Sequence, residues 1–340
     1  MSSATQAAEP VARSAPSIAE LTRLARRDMD GVDALIRNRM QSPVSVIPAL
    51  AEHLIGGSAK RLRPLLTIAA ARLAGARDDA CLNLAAAVEF IHTATLLHDD
   101  VIDSSELRRG KVAAHLIWGA PASVLVGDFL FARSFELMVE AGSMPALEIL
   151  ARASRVIAEG EVLQLTRAHD LDLPQETYLE IIGAKTAELF AAASEAGAVS
   201  AGAPAPVCAS LRRFGRNLGL AFQLVDDALD YSGASETLEK NPGDDFREGT
   251  ATLPLLLAIA RTGPAEKAFW DRTIDRREQT EADFERARLL VAGCGALDAT
   301  LALAEDYAAD AKAALAGFDG ADGWKAAMIE LADFAVWRRM

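Results

Sequence analysis

Residues 90–103 read FIHTATLLHDDVID, an apolar run that ends in three aspartates. This run belongs to a longer segment, residues 76–109, which contains neither Gly nor Pro and is rich in Ala and Leu. Such a composition predicts one long helix. Residues three or four apart share a helix face, so the spacing of Asp99, Asp100 and Asp103 turns their carboxylates toward one point.

The rest of the chain has the same helical character. Ala- and Leu-rich stretches alternate with Gly and Pro breakers, and no segment shows sustained alternation of β-branched residues. We predict further helices over residues 122–140, 146–166, 175–196, 208–231, 253–262, 266–292, 296–316 and 323–338. The chain is therefore expected to be all-α, with a flexible tail over residues 1–16 and a single helical bundle over residues 17–340.

Composition excludes several classes of protein. The 340 residues carry a net charge of −13, with 51% hydrophobic residues, which describes a globular chain without a basic face for nucleic acid. The cysteines Cys81, Cys208 and Cys294 are far apart and form no CxxC pair, so a zinc ribbon or disulfide framework is not expected and a reducing, cytoplasmic location is. No run of 18 uninterrupted apolar residues predicts a transmembrane segment.

The aspartate motif occurs twice. Residues 224–230, LVDDALD, repeat the pattern of residues 97–103, LHDDVID, and place Asp226, Asp227 and Asp230 at the end of a second apolar run. A lone DDxxD could be a solvated acidic helix face, but two copies at the ends of apolar helices favour metal sites. Clustered carboxylates repel one another unless a cation lies between them, and hard oxygens suit Mg²⁺, which bridges to substrate phosphates. With the metal bound, an acidic pocket can accept a phosphorylated guest.

Basic residues lie close to both aspartate trios. Arg and Lys are the side chains that bind phosphate. The candidates are Lys60, Arg61, Arg63, Arg108, Arg109, Lys185 and Lys240. Two acidic metal sites with two basic sets describe a pocket for two phosphorylated ligands, one held through metal and one held directly by cations.

Seven ordered strings resemble the trans-prenyltransferases, or polyprenyl diphosphate synthases. They are AKRLRP (59–64), FIHTATLLHDDVIDSSELRRG (90–110), GDFLFARSF (127–135), EGEVLQL (159–165), KTAELF (185–190), GRNLGLAFQLVDDALD (215–230) and GDDFREG (243–249). The resemblance implies an all-α bundle around a deep central cavity, usually a homodimer, that elongates an allylic diphosphate such as farnesyl diphosphate with isopentenyl diphosphate.

Matched residue by residue, the resemblance also implies roles. The Mg²⁺ ligands, for three ions per site, would be Asp99, Asp100, Asp103, Asp226, Asp227 and Asp230, with Asp244 acting through water. The allylic diphosphate would be bound by Arg108, Lys185, Thr186, Gln223 and Lys240. The isopentenyl diphosphate would be bound by Lys60, Arg63, His92 and Arg109. The catalytic set would be Asp99, Asp103, Lys185 and Asp226, and the released diphosphate would serve as the base.

The helix before Asp99 is expected to set product length. The residues predicted to line the tunnel are Val88, Ile91, Ala94 and Thr95. In the family that the chain resembles, bulky aromatics four and five positions before Asp99 stop elongation early. Thr95 and Ala94 are small, which predicts a long-chain product of the kind used for quinone side chains. Phe131, Phe135 and Met138 are candidates for the cavity floor, with core packing as the favoured interpretation.

The sequence departs from the family pattern at two places, and three alternative functions are open. Thr250 occupies a position where the family commonly has Lys, and Arg247 is a candidate to compensate for the missing charge. Ser58-Ala59 replaces a pair of glycines.

A terpene cyclase of the same fold is disfavoured by the second DDxxD and the isopentenyl-binding basic residues. An HD-type phosphohydrolase, suggested by His98-Asp99, leaves the second motif unexplained. A non-catalytic partner subunit is disfavoured by the intact aspartates.

Overall fold

The first half of the chain is helical, as predicted. The computed structural model describes residues 15–55, 61–108, 110–232, 243–318 and 323–337, so most of the predicted tail lies outside the described residues. In chain order the first helices are α1 (Ala19–Arg39), α2 (Val46–Ile55), α3 (Leu62–Leu73), α4 (Ala80–Ile102), α5 (Ala114–Trp118), α6 (Ala120–Glu140) and α7 (Met144–Thr166). Ser143 caps α7 by accepting a hydrogen bond from the N–H of Ala146, and Pro145 occupies the first turn, where its missing donor costs nothing.

The second half continues the bundle. Its helices are α8 (Gln175–Ile182), α9 (Glu188–Ser200), α10 (Ala205–Ser232), α11 (Asp244–Glu248), α12 (Leu253–Arg261), α13 (Pro264–Trp270), α14 (Asp283–Gly293), α15 (Ala296–Ala314) and α16 (Trp324–Trp337). A π-helical turn, Gly183–Ala187, joins α8 to α9, so the predicted helix over residues 175–196 is continuous but widened at Lys185. Such π turns are frequent at functional sites.

The carboxyl end of α4 differs from the sequence prediction. The helix predicted to reach residue 109 ends at Ile102, because Ser104 adopts a left-handed conformation with φ of 54° and reverses the chain. A short antiparallel hairpin follows, with β1 (Leu107–Arg108) paired to β2 (Lys111–Val112), which corrects the expectation that the chain has no sheet. The segment contains no Gly or Pro, but it does not stay helical. Asp and Ser side chains can hydrogen-bond to nearby backbone groups and so replace the helical hydrogen bonds.

The predicted helix over residues 266–292 is also interrupted. α13 passes into a second π turn, Asp271–Asp275, and α14 begins only at Asp283. Arg272 reaches across the break and bonds both carboxylate oxygens of Asp283, at 2.9 and 2.6 Å. The stretch between the π turn and α14 thus forms a turn held by an ion pair.

The core is built around α4, α9 and α10. α10 packs against α9 and α15, while α4 packs against α3 and α6. Gly215 allows α10 to approach α9 closely, because an added Cβ would lie 2.3 Å from the carbonyl oxygen of Phe190. α4 is long and apolar enough to cross a membrane, but 67% of its most apolar stretch is buried among the other helices, as in a core helix; α14 and α15 meet the same test only as a pair bent by 64°.

Candidate active site

A cavity of about 780 Å³ lies inside the bundle, as predicted. Asp99 and Asp103 reach it from the carboxyl end of α4, and Asp226 and Asp227 reach it from α10. We call the first pair the first aspartate wall. The second pair, together with the cavity-lining segment 244–252, is called the second aspartate wall. The two motifs, 127 residues apart in sequence, therefore face one cavity.

The first aspartate wall contains a half-buried carboxylate beside a half-buried ammonium. Burial raises the pKa of Asp99 to about 7; Lys185 opposes that rise, and repulsion from Glu161 and Asp103 adds to it. Burial alone would lower the pKa of Lys185, but Asp99 and Glu161 outweigh it, so the pKa of Lys185 is raised. Lys185 Nζ donates to Glu161 Oε2 at 2.9 Å. The π turn thus aims a firmly charged ammonium into the cavity.

Asp100 has a different position from its neighbours in the first motif. Its side chain is fully buried, and it is not among the residues that line the cavity. Arg108 donates to Asp100 Oδ1 from Nε at 2.7 Å and from Nη2 at 2.5 Å. The predicted metal ligand Asp100 therefore orients Arg108, which does line the cavity.

The second aspartate wall is supported by a chain of hydrogen bonds. Tyr178 Oη donates to Asp227 Oδ2 at 2.5 Å, and Gln223 Nε2 donates to Asp227 Oδ1 at 2.6 Å. Thr186 Oγ1 in turn donates to Gln223 Oε1 at 2.8 Å. Burial raises the pKa of Asp227 to about 7, and the bonds from Tyr178 and Gln223 oppose that rise. The structure thus brings together two predicted allylic-site residues, Thr186 and Gln223, with a predicted metal ligand.

Asp230 caps a helix. Its Oδ1 accepts from the backbone N–H groups of Gly243 and Asp244 at 3.0 and 3.2 Å, and its Oδ2 accepts from that of Asp245 at 3.1 Å. The residue is buried and is not part of the cavity lining. The predicted metal ligand Asp230 instead fixes the start of α11, because a carboxylate satisfies the exposed donors of a helix amino terminus. Asp244, at that start, does line the cavity.

The remaining aspartates fit a divalent metal. Asp99 is half-buried and Asp227 is buried, each beside further carboxylates, and a bound cation would favour their charged forms. Within the described ranges, no three His, Cys, Asp or Glu side chains already form a closed ligand set. Mg²⁺ commonly takes one or two carboxylates and completes its shell with water and substrate phosphates. The geometry therefore suits a metal bound together with a diphosphate.

The predicted isopentenyl diphosphate residues are partly described. Arg63 Nη1 lies 3.0 Å from His92 Nε2, both residues line the cavity, and the Arg63 guanidinium lies 4.5 Å from the centre of the Phe190 ring. Lys60 and Arg109, and Lys240 of the allylic set, lie outside the described residues. Arg61 lines the cavity as well and forms an ion pair with Asp33 of α1.

The predicted tunnel residues divide between cavity and core. Thr95 lines the cavity, whereas Val88, Ile91 and Ala94 do not and are at most 1% exposed within the main core cluster. The lining also excludes the three candidate floor residues Phe131, Phe135 and Met138. Phe131 and Met138 pack in the core, as we favoured, but Phe135 is 39% exposed. α4 thus turns Thr95, but not Ala94, toward the site.

Several lining residues were not predicted. Glu161 and Tyr178 contact predicted site residues, and Arg167 and His169 lie on the lining after the end of α7.

Thr250 lines the cavity, but Arg247 does not, because it bonds Asp244 Oδ1 at 2.5 Å. His98 also lies off the lining, with its Nε2 3.2 Å from the carbonyl oxygen of Val124, in agreement with a structural role.

The polyprenyl synthetase family matches residues 44–291, well over half of the chain. The chain belongs to this family. It is 43% identical over 322 residues to octaprenyl diphosphate synthase of Escherichia coli strain K12, covering 95% of this chain and 99% of that protein. The octaprenyl diphosphate synthase is a trans-prenyltransferase, and the polyprenyl synthetase family uses Mg²⁺. The resemblance read from the sequence is confirmed, and the HD-type phosphohydrolase alternative is not favoured.

Solved structures agree with the fold. The chain is 72% identical to a polyprenyl synthase from Caulobacter crescentus CB15, solved as a complex with calcium and isoprenyl diphosphate, with a TM-score of 0.94 over 96% of this chain and 100% of that one. It is 48% identical to a decaprenyl diphosphate synthase from Rhodobacter capsulatus, with a TM-score of 0.90 over 95% of this chain and 100% of that one. The all-α isoprenoid synthase fold is thereby confirmed.

Proposed function

We propose that the protein elongates an allylic prenyl diphosphate by successive head-to-tail condensation with isopentenyl diphosphate. Its product would be a long-chain all-trans polyprenyl diphosphate, a precursor of a quinone side chain. The observation that carries the proposal is the single cavity lined by two aspartate walls, by Lys185 and by the Arg63–His92 pair. The long product is supported by the similarity to octaprenyl and decaprenyl diphosphate synthases.

The aspartates that line the cavity are the proposed metal ligands. Asp99 and Asp103 would hold Mg²⁺ on the first aspartate wall, and Asp226 with Asp227 would hold it on the second, with three ions per site. The metal supplies positive charge that neutralises the leaving diphosphate. The hydrogen bonds from Tyr178 and Gln223 hold the Asp227 carboxylate in one orientation, so that it is ready to bind the metal ion.

The cations around the first aspartate wall hold the allylic diphosphate. Lys185 is positioned by Glu161, and Arg108 is positioned by Asp100. Lys240, outside the described residues, is proposed as a third contact. The carbon–oxygen bond breaks and its electron pair leaves with the diphosphate, producing an allylic cation whose chain lies along Thr186 and Gln223. The cavity excludes water from that cation.

The second substrate binds through the other basic set. Arg63 and His92, with Lys60 and Arg109, would hold the diphosphate of isopentenyl diphosphate. The electron pair of its double bond attacks the allylic cation and forms the new carbon–carbon bond. A proton then leaves the adjacent carbon and passes to the released diphosphate, which restores a double bond and needs no protein base.

A terpene cyclase is the second candidate, because it would share the fold and the first metal site. A cyclase takes one diphosphate substrate and has no use for a second diphosphate site. The Arg63–His92 pair on the cavity lining therefore favours the condensing enzyme. Carboxylates on both aspartate walls likewise argue against a non-catalytic subunit.

One experiment tests the proposal. The purified protein is incubated with Mg²⁺, isopentenyl diphosphate and farnesyl diphosphate, and the products are measured by mass spectrometry. We expect a ladder of prenyl diphosphates that ends at a long chain, and loss of that ladder in Asp226→Asn. Asp128→Asn is the matched control, since its side chain is 63% exposed and off the lining. Phosphate release without a longer prenyl chain would reject the function.

We also propose a homodimer. Large apolar side chains are exposed along one face of α6, where Val124, Leu125, Phe135 and Val139 fall within about 100° of each other at 100° per residue. An apolar stripe of this kind on a helix is typical of an interface. Light scattering on the wild type should give twice the mass of one chain, and Leu125→Asp with Val139→Asp should give the mass of one chain.

The domain and location are further parts of the proposal. Residues 17–340 would form one domain, since Ser17 N–H donates to Glu330 Oε1 of α16 at 3.1 Å and so joins the segment before α1 to α16.

A cytoplasmic location is supported by the three free cysteines. Burial raises the pKa of the Cys81 thiol to about 11, so this thiol stays protonated and unreactive.

A further inference from the structure

A turn at the end of α7 reaches the second aspartate wall. Arg167 caps α7, with its N–H bonded to the carbonyls of Leu163 and Gln164 at 3.1 Å. His169, two residues later, adopts a left-handed conformation with φ of 66°. Both side chains line the cavity. A non-glycine residue in this conformation is uncommon, so a specific contact is expected to hold the turn.

That contact is between His169 and Gly249. His169 Nδ1 lies 3.0 Å from the carbonyl oxygen of Gly249, with Nδ1–H as the donor. The approach requires glycine, because a Cβ at position 249 would lie 2.6 Å from the same nitrogen. Gly249 itself has a φ of 71°. The bond therefore fixes the turn that carries Arg167 against the loop that carries Thr250.

The loop it contacts is acidic where it faces the cavity. The lining residues of this segment are Asp244, Asp245, Glu248, Gly249, Thr250, Ala251 and Thr252, and none of these described residues is basic. Arg247, from the same segment, bonds Asp244 and lies off the lining. A diphosphate on this side of the cavity would meet carboxylates, and it needs a cation in addition to metal.

Arg167 is the cation placed to meet it. The other described basic side chains on the lining have closer anionic or ring partners: Arg61 with Asp33, Arg63 with His92, Arg108 with Asp100 and Lys185 with Glu161. Arg167 has Asp170 at 3.5 Å, and its side chain is 51% exposed. An exposed ion pair of this length is weak, so the guanidinium can turn to a stronger anion at little cost.

We infer that Arg167, at the carboxyl end of α7, binds the diphosphate of the allylic substrate beside the second aspartate wall, and that His169 is the positioning residue that fixes it there through Gly249. This inference rests on the proposed function. It supplies from α7 the positive charge that Thr250 does not supply from the facing loop. Arg167 contacts the substrate, whereas His169 acts through Arg167.

Binding of an unreactive allylic analogue tests the inference without turnover. Calorimetry with Mg²⁺ and farnesyl thiodiphosphate compares the wild type with Arg167→Gln, Arg167→Lys and His169→Ala. We expect Arg167→Gln to weaken binding about tenfold, since it loses a charged hydrogen bond. Arg167→Lys should retain most of the affinity. In a separate elongation assay, the KM for isopentenyl diphosphate should stay within about twofold of the wild type, because the loss is confined to one site.

Two combined variants separate the roles. Adding Thr250→Lys to Arg167→Gln should restore the analogue affinity, because it places a cation on the facing loop. Adding His169→Ala to Arg167→Gln should weaken binding no further, because a positioning residue has no effect once its partner is gone. An additional loss in that double variant would overturn the role of His169.

Arg155→Gln is the matched control. Arg155 is an exposed arginine of α7, paired with Glu159 and off the lining, and its removal should leave analogue binding unchanged. Circular dichroism of each variant checks the fold. If Arg167→Gln binds the analogue as the wild type does while the wild type elongates chains, the inference is wrong and the proposed function stands. If the wild type makes no prenyl chain, the proposed function fails.

Discussion

The phenol oxygen of Tyr178 donates a 2.5 Å hydrogen bond to Oδ2 of Asp227, a residue 49 positions away in sequence. Each residue is only 3% exposed, and Gln223 engages the other carboxylate oxygen at 2.6 Å. The orientation of Asp227 is therefore fixed by the protein itself. Preorganisation of this kind keeps a ligand in place before the substrate arrives.

Tyr178→Phe removes this hydrogen bond while keeping the ring. We expect the Mg²⁺ concentration for half-maximal activity to rise several-fold and kcat/KM to fall about tenfold, because a supporting bond to a charged ligand is lost. The measurement is a Mg²⁺ titration of initial rate at fixed substrate concentrations.

Tyr307→Phe is the control for that experiment. Tyr307 lies on α15, packs against the core next to α10 and is not part of the cavity lining. It should leave the Mg²⁺ dependence unchanged. An unaltered Mg²⁺ requirement in Tyr178→Phe would show that Gln223 alone orients Asp227.

Asp99 and Asp100 are adjacent but should respond differently to the same change. Asp99→Asn removes a proposed Mg²⁺ ligand, so we expect activity to fall at least about a hundredfold. Because burial raises the pKa of Asp99, its charge does not stabilise the fold, and we expect little loss of stability. Asp100→Asn weakens a buried ion pair with Arg108 and should lower the free energy of unfolding by about 3 kcal/mol.

Urea unfolding and initial rates on both variants provide the comparison, with the exposed Asp128→Asn as reference. Asp100→Asn should also raise the KM for the allylic substrate, because Arg108 loses the partner that orients it. Equal stability of the two variants would contradict the separate roles assigned to them.

The sequence was sufficient to predict the helical bundle and both aspartate motifs, because these depend on local composition and on helix spacing. The cavity was implied by the resemblance to the trans-prenyltransferases. The division within each motif could not be predicted. Helix geometry places Asp99, Asp100 and Asp103 near one another, but the arginine that bonds Asp100, Arg108, comes from the hairpin that follows. Asp230 is likewise engaged by the backbone of residues 243–245.

The supporting contacts were also beyond sequence reasoning. Tyr178 meets Asp227, and His169 meets Gly249 across 80 residues. Neither pair has a local motif, since a contact of such separation depends on how helices pack. The sequence did contain a signal for the end of α4, because the polar Asp103-Ser104-Ser105 run is typical of a helix end.

Arg272 and Asp283 make a pH-dependent contribution to stability. The hydrogen bonds from Arg272, followed by those of Thr280, hold the pKa of Asp283 well below its usual range against the opposing effect of burial. A carboxyl with a depressed folded-state pKa stabilises the fold above its unfolded pKa of about 3.9 and loses that contribution as the pH falls toward the folded value.

Asp283→Asn should therefore lower the free energy of unfolding by about 2 kcal/mol at pH 7, and by progressively less below pH 4. Urea unfolding at pH 7, 4 and 3 measures the difference. Asp298→Asn, at an exposed position of α15, is the control and should show little effect at any of these values. A difference for Asp283→Asn that is constant with pH would contradict the linkage.

Product length should respond to Thr95 and Ala94 in different ways. Thr95 faces the cavity, so Thr95→Phe should fill space that the growing chain needs and shift the products to shorter prenyl chains, with stability nearly unchanged. Ala94 is 1% exposed in the core, so Ala94→Phe should lower the free energy of unfolding by about 2 kcal/mol through overpacking. Mass spectrometry of the products and urea unfolding of both variants test this. Thr95→Val, with nearly the original volume, should keep the wild-type product length, and the same long product from Thr95→Phe would show that the chain does not grow past Thr95.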